Sequence, residues 1–148
     1  MSISLSAETI GIVKSTGPAL RKHGVEITTA MYARLFKDEE VKAMFDQAAQ
    51  ESGEQPRRLA AAILGYAENI DKLEALGGAV ARMVARHIDT GVKPEHYPKV
   101  AAALLPAIRE VLGEDVATDA VLAAWADAYQ FLADILIAKE AEVYAEAA

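Results

Sequence analysis

The stretch from Val80 to Pro98, VARMVARHIDTGVKPEHYP, places a histidine on the inner face of a predicted helix. Its apolar residues recur three or four positions apart, which is the spacing of side chains on one helical face, and His87 shares that face. Gly91 predicts the end of this helix, because glycine readily adopts the left-handed conformation used there. Pro94 suits the first turn of the next helix, where Tyr97 begins a second apolar stripe. We therefore expect an imidazole and a phenol to point inward near a tight corner.

Two interpretations of His87 remain open from this stretch. A buried histidine can be a core residue satisfied by a hydrogen bond, but imidazole is also the commonest metal ligand. The other two histidines suit metal binding less well. His23 lies beside a glycine at a predicted corner, and His96 is predicted to lie on a more exposed face than Tyr97.

The composition is that of a single globular domain, predicted to span residues 1–148. Hydrophobic residues make up 53% of the 148 residues and charged residues 25%. The chain has no cysteine, which excludes disulfides, zinc–thiolate sites, iron–sulfur clusters and thiolate-ligated haem. The net charge is −7 and no block of basic residues occurs, which argues against nucleic-acid binding.

The sequence also carries no signal for a membrane or for secretion. No apolar run approaches the roughly 20 residues that span a bilayer. The first residues, MSISLSAET, lack the basic and apolar segments of a signal peptide. We therefore expect no membrane span and a cytoplasmic location.

The periodicity predicts an all-α fold of about seven helices, with almost no signal for strands. Ser6 and Thr118 are predicted helix caps. Gly24 predicts a corner between the first two helices, where two backbones could approach closely. Pro56 suits the first turn of a helix that begins near Gln55.

Two polar residues interrupt otherwise apolar helical faces. Glu140 lies on the inner stripe of the last helix, and the pattern alone favours a helix end that frays into solvent. The alternative is a buried carboxylate, which requires a partner because an unpaired buried charge is strongly unfavourable. Tyr32 lies on the inner face of the second predicted helix, where a tyrosine is usually a core residue with its hydroxyl bonded to backbone.

Taken in order, five pieces of the chain resemble the globin fold of single-domain bacterial haemoglobins and of the globin part of flavohaemoglobins. The resemblance covers essentially the whole chain. The pieces are TTAMYARLF, MFDQAAQESGEQPRRLA, ARHIDTGV, EHYP, and LGEDVATDAVLAAWADAY followed by KEAEVYA.

The resemblance implies haem b as the cofactor and His87 as the proximal ligand of its iron. Tyr97 and Glu140 are similar to the proximal hydrogen-bonding pair of the family, and they would be the catalytic residues if the protein is an enzyme. A ligating histidine usually donates its second N–H to a carboxylate or carbonyl. If Glu140 accepts that bond, the imidazole gains anionic character and pushes electron density towards iron.

The resemblance also implies the residues on the opposite, ligand-binding side of the haem. Tyr32, Gln55 and Leu59 correspond to the family's distal residues. Phe45 and Pro56 correspond to residues that pack against the haem.

The function implied first is reversible dioxygen binding, for storage, transport or delivery. The alternative is a nitric oxide dioxygenase or a peroxidase-like activity in NO detoxification, with electrons from a separate reductase. Flavohaemoglobins carry flavin and nicotinamide domains, whereas this sequence has no glycine-rich dinucleotide loop. Dioxygen, NO and CO are the expected gaseous ligands, and a homodimer is allowed. A haem-based sensor is a further alternative, which the sequence disfavours because it shows no output domain or linker. A haem-free helical protein is another, and a haem absorption spectrum would separate it from the rest.

Overall fold

The computed structural model describes residues 5–43 and 54–147, and it contains helices and no strand within these ranges. The described residues form seven α-helices: α1 (Ala7–Ser15), α2 (Gly17–Leu35), α3 (Glu39–Ala43), α4 (Glu54–Glu68), α5 (Gly77–Thr90), α6 (His96–Leu112) and α7 (Asp119–Ala147). A short 3₁₀ helix, Leu73–Leu76, leads directly into α5. The predicted all-α class is therefore confirmed.

Three predicted helix boundaries are confirmed by their hydrogen bonds or backbone angles. The Ser6 hydroxyl oxygen accepts from the backbone N–H of Thr9 at 3.1 Å, and that of Thr118 accepts from Val121 at 3.2 Å. Gly91 ends α5 with a φ of 75°, in the left-handed region that glycine tolerates. This turn directs the chain from the helix of His87 into α6.

The corner predicted at Gly24 is wrong, because α2 runs through this residue without a break. The glycine serves a close helix crossing instead. A Cβ atom at Gly24 would lie 3.3 Å from the Cβ of Ala60 on α4, which is tighter than an ordinary contact. The small residue thus lets α2 and α4 approach closely.

The core lies where α2 packs against α4 and α6, while α7 packs against α1, α5 and α6. Its most completely buried side chains come from several helices and from the turn after α4: Val13, Ile27, Thr28, Met31, Ile70 and Ile108. The segment Asp119–Glu146 of α7 is long and apolar enough to cross a membrane by length and composition. Trp125 and Leu136 of this helix are buried in the protein core.

Candidate functional site

His87 lies in the last turns of α5, and its ring nitrogen Nδ1 contacts two side chains from other helices. Nδ1 lies 2.7 Å from a carboxylate oxygen of Glu140 on α7 and 2.9 Å from the hydroxyl oxygen of Tyr97 on α6. The Tyr97 hydroxyl donates to the second carboxylate oxygen of Glu140 at 2.6 Å. The three predicted proximal residues therefore form one closed hydrogen-bonded triangle.

The pattern-based interpretation of Glu140 as a solvated helix end is wrong. The residue is only 4% exposed, and α7 continues beyond it. Burial removes water from the carboxylate, so the bonds from His87 and Tyr97 must replace its hydration. Glu140 thus interrupts the apolar stripe because it is the buried hydrogen-bond partner of His87 and Tyr97.

This network determines which nitrogen of His87 carries the proton. A carboxylate only accepts hydrogen bonds, so we assign the proton to Nδ1, which donates to Glu140. The other nitrogen, Nε2, then presents its lone pair. The imidazole is partly accessible, with a side-chain exposure of 29%, so Nε2 can reach a bound group. This arrangement is typical of a metal-ligating histidine whose second N–H is held by a carboxylate.

Tyr97 is itself held firmly at the start of α6. The hydroxyl of Tyr129 on α7 donates to the backbone carbonyl of Tyr97 at 2.9 Å. Burial, followed by the hydrogen bond to Glu140, raises the pKa of Tyr97 well above that of a free phenol, so its hydroxyl remains a donor. The sequence analysis did not single out Tyr129, although a tyrosine on an inner stripe signals a hydroxyl that needs a buried partner.

The prediction that His96 lies on a more exposed face is wrong, because this residue is only 6% exposed. Its Nδ1 accepts from the backbone N–H of Lys93 at 2.9 Å, and this bond closes the turn before α6. Its Nε2 lies 3.5 Å from Glu40 on α3. His96 therefore stabilises the start of α6.

The predicted ligand-side residues come together at the crossing of α2 and α4. The amide nitrogen of Gln55 lies 3.5 Å from the hydroxyl oxygen of Tyr32, at the outer limit of a hydrogen bond. Tyr32 is 5% exposed, and burial raises its pKa, an effect that the bond from Gln55 partly offsets. Leu59 is partly buried and packs against the main core, and Pro56 is buried in the first turn of α4. Phe45 lies outside the described residues.

An apolar cleft separates α4 from α5. It has a volume of about 280 Å³ and is lined by Ala62 and Gly65 of α4 and by Met83 and Arg86 of α5, among others. A second cleft of about 220 Å³ adjoins it and shares Tyr66 of α4 with it. Both clefts thus lie between the helix of His87 and the helix of Gln55, but their lining residues include none of His87, Tyr32, Gln55 and Leu59.

The donor set of this site fits haem. The described ranges contain no cluster of three or more His, Asp or Glu side chains that could hold a metal ion alone. A single imidazole with a free Nε2 suits an ion whose remaining ligands come from a porphyrin. The apolar cleft suits the flat, apolar body of such a group, and Arg86 at its wall suits a carboxylate substituent.

Comparisons with known proteins agree with this geometry. The globin family model matches residues 29–136. A flavohemoprotein from Burkholderia sp. (strain TH2) is 52% identical over 143 residues, which are 96% of this chain and 36% of that protein. The chain thus spans about a third of the length of this relative.

Two solved structures are similar over nearly their whole length. An engineered carbene transferase from Rhodothermus marinus, described as a candidate nitric oxide dioxygenase, gives a TM-score of 0.90 at 45% identity, covering 96% of this chain and 97% of that one. A bacterial globin from Campylobacter jejuni gives a TM-score of 0.87 at 43% identity, covering 94% of this chain and 99% of that one. The chain therefore belongs to the globin family, and haem is its cofactor.

Proposed function

We propose that this globin binds dioxygen reversibly at a haem held by Nε2 of His87. The observation that carries the proposal is the position of Nδ1 between Glu140 and Tyr97, at 2.7 and 2.9 Å, which leaves Nε2 as the metal-binding atom. When bound, haem supplies the iron at which a diatomic ligand binds. The chain supplies the axial nitrogen, the apolar cleft and the groups on the ligand side.

The residues on the ligand side set the polarity around the bound diatomic ligand. The Tyr32 hydroxyl is the donor best suited to a polar diatomic ligand, because burial keeps it protonated. The Gln55 amide lies beside it as a second donor, and Leu59 contributes apolar surface. In this proposal Phe45 and Pro56 pack against the haem. Dioxygen gains more than CO from such donors, because charge separates more when dioxygen binds to ferrous iron.

A second candidate function is nitric oxide dioxygenation, in which NO, dioxygen and one electron form nitrate. The buried carboxylate of Glu140 on the proximal side favours this candidate, because it raises the electron density that the imidazole gives to iron. The similarity to a candidate nitric oxide dioxygenase also supports it. The electron would come from a separate reductase. Under this candidate Tyr97 and Glu140 assist catalysis through His87.

One pair of measurements tests and separates these functions. The ferrous, haem-loaded protein is exposed to dioxygen and then to vacuum, and its absorption spectrum is followed. Return of the original spectrum supports reversible binding, and immediate oxidation to the ferric form contradicts it. NO consumption is then measured with and without an added flavin reductase and its nicotinamide substrate. Sustained nitrate formation only with the reductase identifies the dioxygenase.

We propose that residues 1–148 act as one globin domain, and this agrees with the family match over 29–136. A cytoplasmic location and a homodimer stay predictions.

A further inference from the structure

The hydroxyl of Thr28 joins the two helices that carry the ligand-side pair. Its oxygen lies 2.8 Å from the backbone carbonyl oxygen of Pro56, which is 28 residues away in sequence. The same hydroxyl lies 3.2 Å from the carbonyl of Val25 in its own helix, the longer of the two contacts. Thr28 is only 1% exposed, so water does not compete for this hydroxyl.

The bond between Thr28 and Pro56 lies between two other contacts of α2 with α4. One turn earlier on α2, Gly24 lies close to the side chain of Ala60. One turn later, Tyr32 approaches Gln55. Residue numbers rise along α2 as they fall along α4, so the helices cross in antiparallel fashion. The bond therefore fixes their axial register next to the polar pair.

The bond from Thr28 reaches the first turn of α4. This helix is described from Glu54, and Gln55 and Pro56 lie in its first turn. The Thr28 hydroxyl donates to the Pro56 carbonyl, which ties this turn to α2. The Pro56 carbonyl belongs to the peptide plane that follows Pro56, and the proline ring fixes the φ angle that joins this plane to the preceding one. Holding the Pro56 carbonyl within the helix therefore also restricts the backbone of Gln55.

The separation of Gln55 and Tyr32 is sensitive to this register. At 3.5 Å their contact is at the limit of hydrogen bonding, so a shift of a few tenths of an ångström strengthens or breaks it. We propose that Thr28 is a positioning residue for the ligand side: its bond to Pro56 sets the distance between the Gln55 amide and the Tyr32 hydroxyl. This inference rests on the proposed function, in which that pair faces the diatomic ligand.

The test uses the full chain loaded with haem and compares Thr28→Val with Thr28→Ser. Valine keeps the shape and removes the hydroxyl, whereas serine keeps the hydroxyl. Two quantities are measured: the dissociation rate of dioxygen, and the C–O stretching frequency of the CO complex, which reports polarity near the ligand. We expect Thr28→Val to change the dissociation rate by about threefold or more, as for the loss of one neutral hydrogen bond, and to shift the C–O band. Thr28→Ser should restore both.

Normal values of both quantities in Thr28→Val, with only a lower melting temperature, would show that the bond is merely structural and would overturn the inference. If Thr28→Val does not fold, Thr28→Ala takes its place with the same two readouts. The double variant Thr28→Val with Gln55→Leu should match Gln55→Leu alone, because Thr28 acts through Gln55. Additive effects in the double variant would contradict the inference that Thr28 acts through Gln55.

Tyr32→Phe and Gln55→Leu separate a failure of this inference from a failure of the proposed function. If they shift both readouts and Thr28→Val does not, the inference fails and the ligand-side assignment stands. If none of the three variants shifts either readout, the ligand-side assignment fails and the inference fails with it.

Discussion

The carboxylate of Glu140 lies 2.7 Å from Nδ1 of His87, although 53 residues separate them along the chain. Such a bond gives the imidazole partial anionic character, because the carboxylate draws its proton. The Tyr97 hydroxyl supports the same carboxylate on its other oxygen at 2.6 Å. We therefore expect Glu140 and Tyr97 to control the electron density that His87 offers at Nε2.

His87→Ala is expected to abolish stable haem retention, because this residue supplies the only axial nitrogen in our account. Added imidazole should partly restore binding, since it can occupy the space left by the side chain. Titration of the apoprotein with haem, followed by absorption, measures both effects. An unchanged haem content and an unchanged ferrous spectrum in this variant would rule out His87 as the ligand.

Glu140→Gln is expected to raise the haem reduction potential and to slow any peroxidase-like reaction. The glutamine keeps the shape of the side chain but removes the anionic acceptor, so the ferrous state becomes easier to maintain. Potentiometric titration measures the shift, and circular dichroism controls for an unchanged helix content. Tyr97→Phe should act in the same direction but more weakly, because it removes a hydroxyl and no charge.

If Tyr97 acts by orienting Glu140, the effects of Glu140→Gln and Tyr97→Phe on the reduction potential should not add in the double variant. Residues in one hydrogen-bonded network are coupled, so the double variant should resemble Glu140→Gln alone. Fully additive shifts in potential would instead show that the two residues act on His87 independently.

Tyr32→Phe is expected to accelerate dioxygen release more than it changes dioxygen capture. A hydrogen bond to a partly charged ligand is worth on the order of 1.5–3 kcal/mol, so release should quicken by about tenfold or more. CO separates less charge, and its release should change less. Stopped-flow displacement measures both rates. Equal shifts for the two ligands would argue against a hydrogen bond from Tyr32.

The buried tyrosines predict a loss of stability in alkaline solution. Burial raises the pKa of Tyr32, Tyr66, Tyr97 and Tyr129 above the ordinary value of 10.0. A raised pKa means that the folded state holds the phenol proton more tightly. The contribution of these phenols to the free energy of unfolding is full below about pH 10. It is lost as the pH rises further, because the tyrosines of the unfolded chain ionise first.

Phenolate absorbance and circular dichroism should therefore change together in an alkaline titration. Tyr66 is the clearest contributor, since its hydroxyl donates to the Ala128 carbonyl inside the core at 2.7 Å. Ionisation of all four phenols near pH 10, with the helices still intact, would contradict their burial.

The sequence predicted the helical class and the inward position of His87, because both follow from periodicity. It did not predict the burial of Glu140: an apolar stripe cannot distinguish a frayed helix end from an internal partner. Only the resemblance to globins pointed to the correct environment. The exposure of His96 was predicted wrongly for a related reason, since its burial depends on the fold of the turn at Lys93. Gly24 was recognised as a point of close approach, but one residue cannot show whether the chain turns there or another helix crosses it.

Resonance Raman spectroscopy of the ferrous protein tests most directly whether Nε2 of His87 binds haem iron while Glu140 holds Nδ1. The iron–imidazole stretching band should be present in the natural sequence and absent in His87→Ala. Glu140→Gln should lower its frequency, because a weaker acceptor at Nδ1 leaves a weaker bond at Nε2. A band that Glu140→Gln leaves unchanged, or that persists without His87, would contradict the account.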